Sequence, residues 1–313
     1  MRHAHVRSVA TAALAALALA LAACGDDGGA APPDAAIDAP PGQAREVIGG
    51  IDIAEQRHLY VDEGAPAESR SASVRAAFYD GRPPRWHREV MRAGACVLKR
   101  YTPSLCEPAC TTGLCVEPDV CEPFPSLVAA GRLLIDGLAV AIRIAGADGF
   151  YYPDNQLPTD LFADAATITA ELIGGGGIPG LTLTTTGVPP LGFSLPFNRL
   201  TLLPGRDATV AWTPAAGDAR IHLTLNANNL GHGMPYLGII ECDVADAAGE
   251  VTIAAALIDG FPETQAWTFC AGSDCPPSTI RRYHRATTPV GDRDVELTVA
   301  SEVTFGVEHV LPD

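Results

Sequence analysis

The chain has 313 residues, of which 47% are hydrophobic, and a formal net charge of −16. So acidic a chain repels nucleic acid and anionic lipid headgroups, which argues against both as partners. Beyond the N-terminal segment no stretch approaches the roughly 18 apolar residues that a membrane-spanning helix needs, so a soluble body is expected.

The first 24 residues have the pattern of a bacterial lipoprotein export signal. Arg2 and Arg7 precede an uncharged apolar run over residues 9–23, which has the length of a secretory signal core. The run ends in Leu-Ala-Ala-Cys at Cys24, which resembles the bacterial lipobox, where the signal is cleaved before the cysteine and the thiol receives diacylglycerol. An ordinary secretory signal cleaved at the same place is the alternative. We expect removal of residues 1–23, lipidation of Cys24 and a mature charge of −18.

Residues 24–45 are expected to form a disordered linker between the lipid and the folded part. They are rich in Pro, Gly, Ala and Asp and contain no aromatic residue, so they cannot bury enough apolar surface to offset the entropy of ordering. At about 3 Å per residue the linker would reach about 60 Å from the lipid. By enterobacterial sorting logic, Gly25 rather than Asp after the cysteine directs the protein to the outer membrane.

Eight further cysteines predict disulfide bonds. An even number of cysteines in an exported protein is typical of a disulfide framework, here of up to four bonds. Five precede residue 122 and three follow residue 241, so at least one bond must join the two groups if all eight are oxidised. The first five lack the paired C-x2-C knuckles of a zinc site, so no metal is predicted. The eight are Cys96, Cys106, Cys110, Cys115, Cys121, Cys242, Cys270 and Cys275.

The remainder of the chain predicts an all-β fold. Short runs of alternating apolar and polar residues, rich in Val, Ile, Thr and Leu, are separated by Gly, Pro and Asp. The proline-rich segment over residues 189–196 suits a hinge, so we place a boundary near residue 195 between two β-sandwich, immunoglobulin-like units, 46–195 and 196–313. The first unit carries the disulfide-rich segment 96–121 as an insertion. The predicted strands are Ser73 to Tyr79, Cys96 to Tyr101, Gly131 to Ile135, Ala139 to Ile144, Ala166 to Ile173, Leu181 to Thr186, Arg199 to Leu203, Ala208 to Trp212, Ala219 to Asn226, Gly238 to Val244, Glu250 to Ala255, Ala266 to Phe269, Ile280 to His284 and Asp294 to Phe305.

Only one short helix is expected, near the end of the segment from Glu250 to Gly260. Trp212, which ends the run ATVAW directly before a proline, is expected to fill a sandwich core.

Two stretches together carry a resemblance. The first is VAWTP, followed by an alternating strand, IIEC and Gly-x-Val-x-Ile; the second is AAFYDGRPPRWHREVMRAGACVL, which leads into the cysteines and then CEPFPSLVAAGRLLIDGL. The pattern resembles uncharacterised cysteine-containing β-sandwich lipoproteins of myxobacterial-type Gram-negative bacteria. It spans most of the mature chain and consists of strands and cysteines, so it implies a fold and no activity.

Familiar catalytic motifs are missing from the sequence. It contains no G-x-S-x-G elbow, H-E-x-x-H helix, Walker A loop or dinucleotide-binding glycine fingerprint, and no cofactor is predicted. The densest polar loop, NANNLGHGMPYLG, could offer hydrogen bonds to a glycan or a divalent ion, although Asn and Gly are also what a long hairpin connection needs. Its candidate ligand residues are Asn226, Asn228, Asn229 and His232.

Two acidic groups are further candidate sites. Asp148 and Asp154 flank GFYYP and could mark a calcium loop or, with Tyr151 and Tyr152, a stacking platform for a sugar. Solvated turn residues beside core aromatics are the preferred interpretation, because no D-x-D-x-D-G loop is present. Asp243, Asp246 and Glu250 could serve as glycosidase carboxylates, but the sequence DVADAAGE is typical of an acidic hairpin turn.

The sequence therefore predicts a non-enzymatic, lipid-anchored protein of the cell envelope, which displays disulfide-stapled β-sandwiches for binding or structural contact. Its expected partners are the membrane, through the lipid alone, and an envelope protein or glycan. The alternative is an envelope hydrolase that acts on glycan or peptide, with catalytic groups gathered only in the fold.

Overall fold

A computed structural model describes residues 45–81, 87–146, 149–226, 238–264 and 277–309. From Arg45 onward the described residues belong to one compact unit. Cys24 and the predicted linker up to Ala44 lie outside the described residues.

Eighteen strands and one short helix make up the described part of the chain. The helix, α1, spans Ala255–Asp259, at the end of the segment where a helix was predicted. The strands are β1 Glu46–Asp62, β2 Ala65–Phe78, β3 His87–Ala93, β4 Cys96–Tyr101, β5 Leu114–Glu117, β6 Val120–Glu122, β7 Leu133–Asp136, β8 Ile142–Ile144, β9 Phe150–Tyr151, β10 Thr167–Leu172, β11 Leu181–Thr186, β12 Arg199–Leu202, β13 Ala208–Ala211, β14 Arg220–Asn226, β15 Gly238–Ala245, β16 Glu250–Ile253, β17 Ser278–Val290 and β18 Arg293–His309.

The prediction of an all-β fold is confirmed. In the part of the chain that the structure describes, no helix has the length and apolar character needed to cross a membrane.

One ten-stranded sheet dominates the fold, and we call it the main sheet. Nine of its strands have the order β3-β4-β15-β14-β17-β18-β1-β2-β9, and the tenth, β12, pairs with β18. The long strand β18 pairs antiparallel with β17 along one edge. Along the other edge it pairs in parallel first with β1 and then, at its C-terminal end, with β12. Strand β18 is therefore the central element of the sheet.

Smaller sheets accompany the main sheet. A four-stranded sheet has the order β11-β10-β7-β8, and two-stranded sheets are formed by β13 with β16 and by β5 with β6.

Two apolar cores line the inner face of the main sheet, because alternate residues of its strands point to the same side. One core joins β1, β2 and β18 to the four-stranded sheet and includes Ile51, Ile53, Val74, Leu133, Ile135, Ile168 and Leu297. The other joins β4, β14, β15 and the end of β18 to β13, β16 and α1, and includes Leu98, Leu223, Ile240, Ile253, Leu257 and Val303. Trp212 lies in this second core, as predicted.

Polar side chains separate the two cores on the same inner face. Glu55 and Arg57 follow Ile53 on β1 and precede Leu59, which belongs to the other core. The Glu55 carboxylate accepts hydrogen bonds from the backbone N–H groups of Leu161 and Phe162, at 2.6 and 3.0 Å. Burial raises the pKa of Glu55, although these two hydrogen bonds oppose the rise.

The segment over residues 189–196, which was predicted to be a hinge, is instead fixed between the cores. Arg57 donates a hydrogen bond to the Phe193 carbonyl, and the Leu191 N–H donates to Ser301 Oγ at 2.9 Å. Arg282 donates to the carbonyl of Pro190 at 2.9 Å. A backbone segment with so many buried partners cannot act as a free joint.

The boundary predicted near residue 195 does not divide this fold. Strands from both 46–195 and 196–313 are interleaved in the main sheet, and β1 pairs with β18 over most of its length. The immunoglobulin-like arrangement of two units is not confirmed, because one sheet serves both cores. The fold has two cores, but residues 45–313 form a single unit.

A fully buried ion pair between Arg282 and Asp246 connects β17 to neighbouring elements. Arg282 and Asp246 have side-chain exposures of 2% and 1%, and two hydrogen bonds of 3.0 and 3.1 Å join them. Asp246 also accepts from the Ala215 N–H at 2.8 Å, and its carbonyl accepts from Trp212 Nε1 at 2.9 Å. The pair therefore connects β17 with the end of β13 and the turn after β15.

Disulfide bonds join six of the eight predicted cysteines. Cys96 on β4 bonds to Cys242, its directly paired residue on β15, and so links the two cysteine groups as the odd counts require. Cys106–Cys115 and Cys110–Cys121 hold the β5–β6 segment. Cys270 and Cys275 lie outside the described residues.

We expect the mature protein to contain no free thiol. Maleimide labelling followed by mass spectrometry should add no label to the native, lipidated protein. Six cysteines form three disulfides, and the even number of cysteines in an exported chain predicts that Cys270 and Cys275 are oxidised as well. After unfolding and reduction, eight cysteines should react. Labelling of two residues before reduction would contradict a four-bond scheme. It would indicate that Cys270 and Cys275 are not paired.

Candidate functional site

The outer face of the main sheet, opposite the two cores, carries a row of polar side chains. Arg75 on β2 lies opposite Asp52 on β1, Asp52 lies opposite Thr298 on β18, and Thr298 lies opposite Arg285 on β17. Residues that are paired across neighbouring strands point to the same face. Four strands thus contribute to one line of hydrogen-bonding groups.

A cavity of about 620 Å³ opens along this row, and we call it the outer cavity. Its floor contains Gly50 and Ala77, which are directly paired and lack bulky side chains. Larger residues surround them, including Phe150, Tyr152, Arg285 and Glu296. The volume lies within the range of roughly 300–1,000 Å³ that small-molecule sites occupy.

Two exposed aromatic rings border the outer cavity. Phe150 and Tyr152 are 53% and 65% exposed. Tyr151, between them, points the other way: it is buried, donates a hydrogen bond to the Gly131 carbonyl at 2.8 Å and packs edge-on against Phe78. The sequence suggested Tyr151 and Tyr152 as a stacking pair. Because side chains alternate along β9, Phe150 and Tyr152 are the two rings on the exposed side.

Charged groups in and beside the cavity are largely paired with one another. Arg281 Nη2 lies 2.6 Å from an Asp52 oxygen, and its Nε lies 3.0 Å from a Glu302 oxygen. Arg285 lies 3.6 Å from Glu296. These contacts hold the guanidinium groups of β17 in place.

Arg75 differs from the other two arginines of the cavity. It lies on the exposed side of β2 and lines the outer cavity. Among the contacts of the described residues, Arg75 has neither a side-chain hydrogen bond nor an ion pair. Within the described residues, no neighbour therefore uses the charge or the hydrogen-bond donors of its guanidinium.

Burial changes the proton affinities of groups on this face. Burial opposes the charge of Arg281, but Asp52 and Glu302 together outweigh it, so the pKa of Arg281 is raised and the side chain stays charged. Burial lowers the pKa of His222, against the opposing pull of the carboxylates of Glu241 and Asp243. The outer face thus combines a charged Arg281 with a His222 whose burial favours the neutral imidazole.

No protein family model matches the chain, and no curated protein matches it. The roles of the cavity residues therefore rest on the contacts described above.

A second cavity, of about 720 Å³, lies beside the first and shares Phe150 and Tyr152 with it. Its polar lining comes from Arg143 and from the loop residues Asp154, Asn155 and Gln156. The two aromatic rings therefore border two neighbouring cavities, which together could hold a ligand longer than one ring.

The polar loop proposed from the sequence lies mostly outside the described residues, which exclude Asn228, Asn229 and His232. Asn226, the last residue of β14, is buried. Its side chain donates to the Pro277 carbonyl at 3.0 Å, and its N–H donates to Ser278 Oγ at 3.0 Å. Asn226 thus has a structural role.

The three carboxylates that were weighed as a glycosidase site have separate environments. Asp243 accepts hydrogen bonds from Arg220 and Tyr283, at 2.7 and 2.8 Å, whereas Asp246 is buried against Arg282. Glu250 is exposed and lies opposite Ala211. This arrangement does not provide a facing pair of free carboxylates.

A histidine and a serine do meet on the outer face. His58 Nε2 lies 2.8 Å from Ser71 Oγ, while His58 Nδ1 lies 3.1 Å from the Thr304 hydroxyl. A nucleophilic triad would place a carboxylate at that second nitrogen. Neither residue lines the cavities described above, so this pair carries no hydrolase proposal.

The sulfur atoms of Cys106, Cys110 and Cys115 lie within 4.8 Å of one another, as metal ligands would. Each of them belongs to a disulfide. Zinc binds thiolates, so this cluster is a disulfide staple.

Proposed function

We propose that the protein is a non-enzymatic, lipid-anchored binding protein of the bacterial outer membrane, and that its outer cavity binds a sugar. The lipobox at Cys24 and the linker that follows it support the anchor. The disulfides support an oxidising location outside the cytoplasm.

One observation carries the choice of a sugar: a cavity floored by Gly50 and Ala77 lies between exposed aromatic rings and fixed charged groups. The apolar face of a sugar ring packs against an aromatic ring, while its hydroxyls hydrogen-bond to charged groups around its edge. Binding sites of this kind combine apolar surface with a few well-held polar groups. Arg281 is held by its contacts with Asp52 and Glu302, so it loses little side-chain entropy on binding a ligand.

Filling the floor of the outer cavity should abolish most of the binding. A Cβ added at Gly50 would meet only the Glu296 carbonyl, at 3.8 Å, so Gly50→Leu should fold and project its side chain into the cavity. We expect its affinity for a bound oligosaccharide to fall about tenfold or more, because the ligand must be displaced from the floor. Isothermal titration of the full chain with short oligomers of glucose, N-acetylglucosamine, galactose and galacturonate would measure this.

The matched control is Ala211→Leu, which adds bulk at an exposed strand position that does not line this cavity. It should leave every affinity unchanged. Tyr152→Ala provides a second test, since it removes a stacking surface from an exposed side chain. Failure of the unmodified protein to bind any of the four oligomers, or equal binding by Gly50→Leu, would contradict the proposal.

A further inference from the structure

We infer that the outer cavity selects an acidic sugar, one that carries a carboxylate on its ring, and that Arg75 is the residue that recognises it. This inference rests on the proposed function. The inference adds to that function the class of sugar and the residue that binds the sugar's carboxylate.

One of the charged residues that line the outer cavity is an arginine without a partner among the described residues. Three arginines and two carboxylates line the outer cavity. Asp52 is paired with Arg281, and Glu296 is paired with Arg285. Arg75 is the lining arginine that remains without an ion-pair partner among the described residues, whereas Arg281 also contacts Glu302 just outside the lining. A ligand would therefore meet one free guanidinium in a cavity whose other charges are balanced.

The position of Arg75 fits a ring that stacks on the neighbouring aromatic side chains. Ala77 on β2 pairs with Phe150 on β9, and Ala76 pairs with Tyr151. Arg75 and Tyr152 are the next residues of the two segments beyond these pairs, and both line the outer cavity. A sugar that packs against Tyr152 therefore has its ring substituents beside the guanidinium.

A carboxylate is the substituent that this guanidinium fits best. Arginine binds a carboxylate through two parallel N–H···O hydrogen bonds, which are stronger than hydrogen bonds to neutral hydroxyls. Densely charged polyanions are disfavoured, because Asp52 and Glu296 lie in the same cavity and the chain as a whole is acidic. One negative charge per ring matches Arg75, the one lining arginine without an ion-pair partner among the described residues.

The test compares two oligomers that differ only in their carboxylates. Titrated at low salt into the full chain, galacturonate oligomers should bind about tenfold or more tightly than galactose oligomers of equal length. In Arg75→Gln the two affinities should come to within about twofold of each other. Arg75→Lys should retain part of the preference, and rising salt should reduce it in the unmodified protein.

Arg206→Gln is the matched control, because Arg206 is also exposed and does not line the cavity; the preference should survive there. Thermal unfolding should show the same midpoint for each variant. Equal affinity for both oligomers in the unmodified protein would overturn the inference and leave the proposed function standing. Binding of neither oligomer would overturn the inference, and it would overturn the proposed function only if the other sugars also failed. A preference that persists in Arg75→Gln would overturn the assignment of this residue.

Discussion

Replacing Asp246 with alanine should lower the free energy of unfolding by about 3–5 kcal/mol. The substitution leaves the Arg282 guanidinium buried, at 2% exposure, without the carboxylate that balances its charge. It also removes the acceptor of the Ala215 N–H. Guanidinium denaturation, followed by circular dichroism, would measure the loss.

A double-mutant cycle with Arg282→Met separates the ion pair from its surroundings. The double variant should lose less stability than the two single variants together, because neither charge is then left alone. It should still be less stable than the unmodified protein, since Arg282 also donates to the Pro190 and Thr213 carbonyls. Asp292→Ala, at an exposed ion pair, is the control and should have no measurable effect. A change of under about 1 kcal/mol in Asp246→Ala would contradict this account.

Removing the Cys96–Cys242 disulfide should cost about 5 kcal/mol by the chain-entropy estimate. The bond closes a loop with a sequence separation of 146 residues, and opening it frees a large part of the unfolded chain. Both cysteines are buried, with exposures of 0% and 1%, so the double variant with alanine also leaves a small void. Guanidinium denaturation under non-reducing conditions would measure the effect.

The matched comparison is the double alanine variant at Cys106 and Cys115. This bond spans 9 residues and is expected to contribute about 2.5 kcal/mol on the same estimate. Its loss should chiefly expose the β5–β6 segment to protease, because neither sulfur belongs to a core. Equal losses of global stability in the two double variants would contradict the loop-length argument.

Much of the local structure could be predicted from alternation alone. The bounds predicted for Cys96 to Tyr101 and Leu181 to Thr186 match β4 and β11, and the parity of the cysteines required a bond like Cys96–Cys242. Strand alternation depends on neighbouring residues, and cysteine parity depends on the number of cysteines. Both can be read from a single sequence.

The longest strand of the first half was not predicted. Strand β1 places charged residues at the inward positions Glu55 and Arg57, between the two cores, so its apolar alternation ends at Ile53. Its partner is also distant, since β1 pairs with β18. An alternating pattern shows which face of a strand is buried but not which strand lies beside it, and the false boundary near residue 195 follows from that.

The outer cavity was missed for the same reason. Asp52, Arg75, Thr298 and Arg285 lie on four separate strands, and each one resembles an ordinary solvated residue in its own segment. Only the register of the sheet brings them into one row. The single sequence signal that pointed here was the pair Tyr151 and Tyr152, of which Tyr152 exposes its ring beside the cavity whereas the Tyr151 ring is buried.

The pairing of β1 with β18 also decides the order in which the chain can fold. Arg45 and Asp294, which hydrogen-bond beside this pairing, are 249 residues apart, so the contact forms late and slows folding. A chain that crosses a membrane from its N-terminus delivers β1 and β2 first, and they leave one strand edge open until β18 arrives. Such an edge invites pairing with other chains. In a lipoprotein of the kind proposed, Cys24 would be acylated while the edge of β1 is still unpaired. A periplasmic chaperone would then have to bind a protein that is already attached to its membrane.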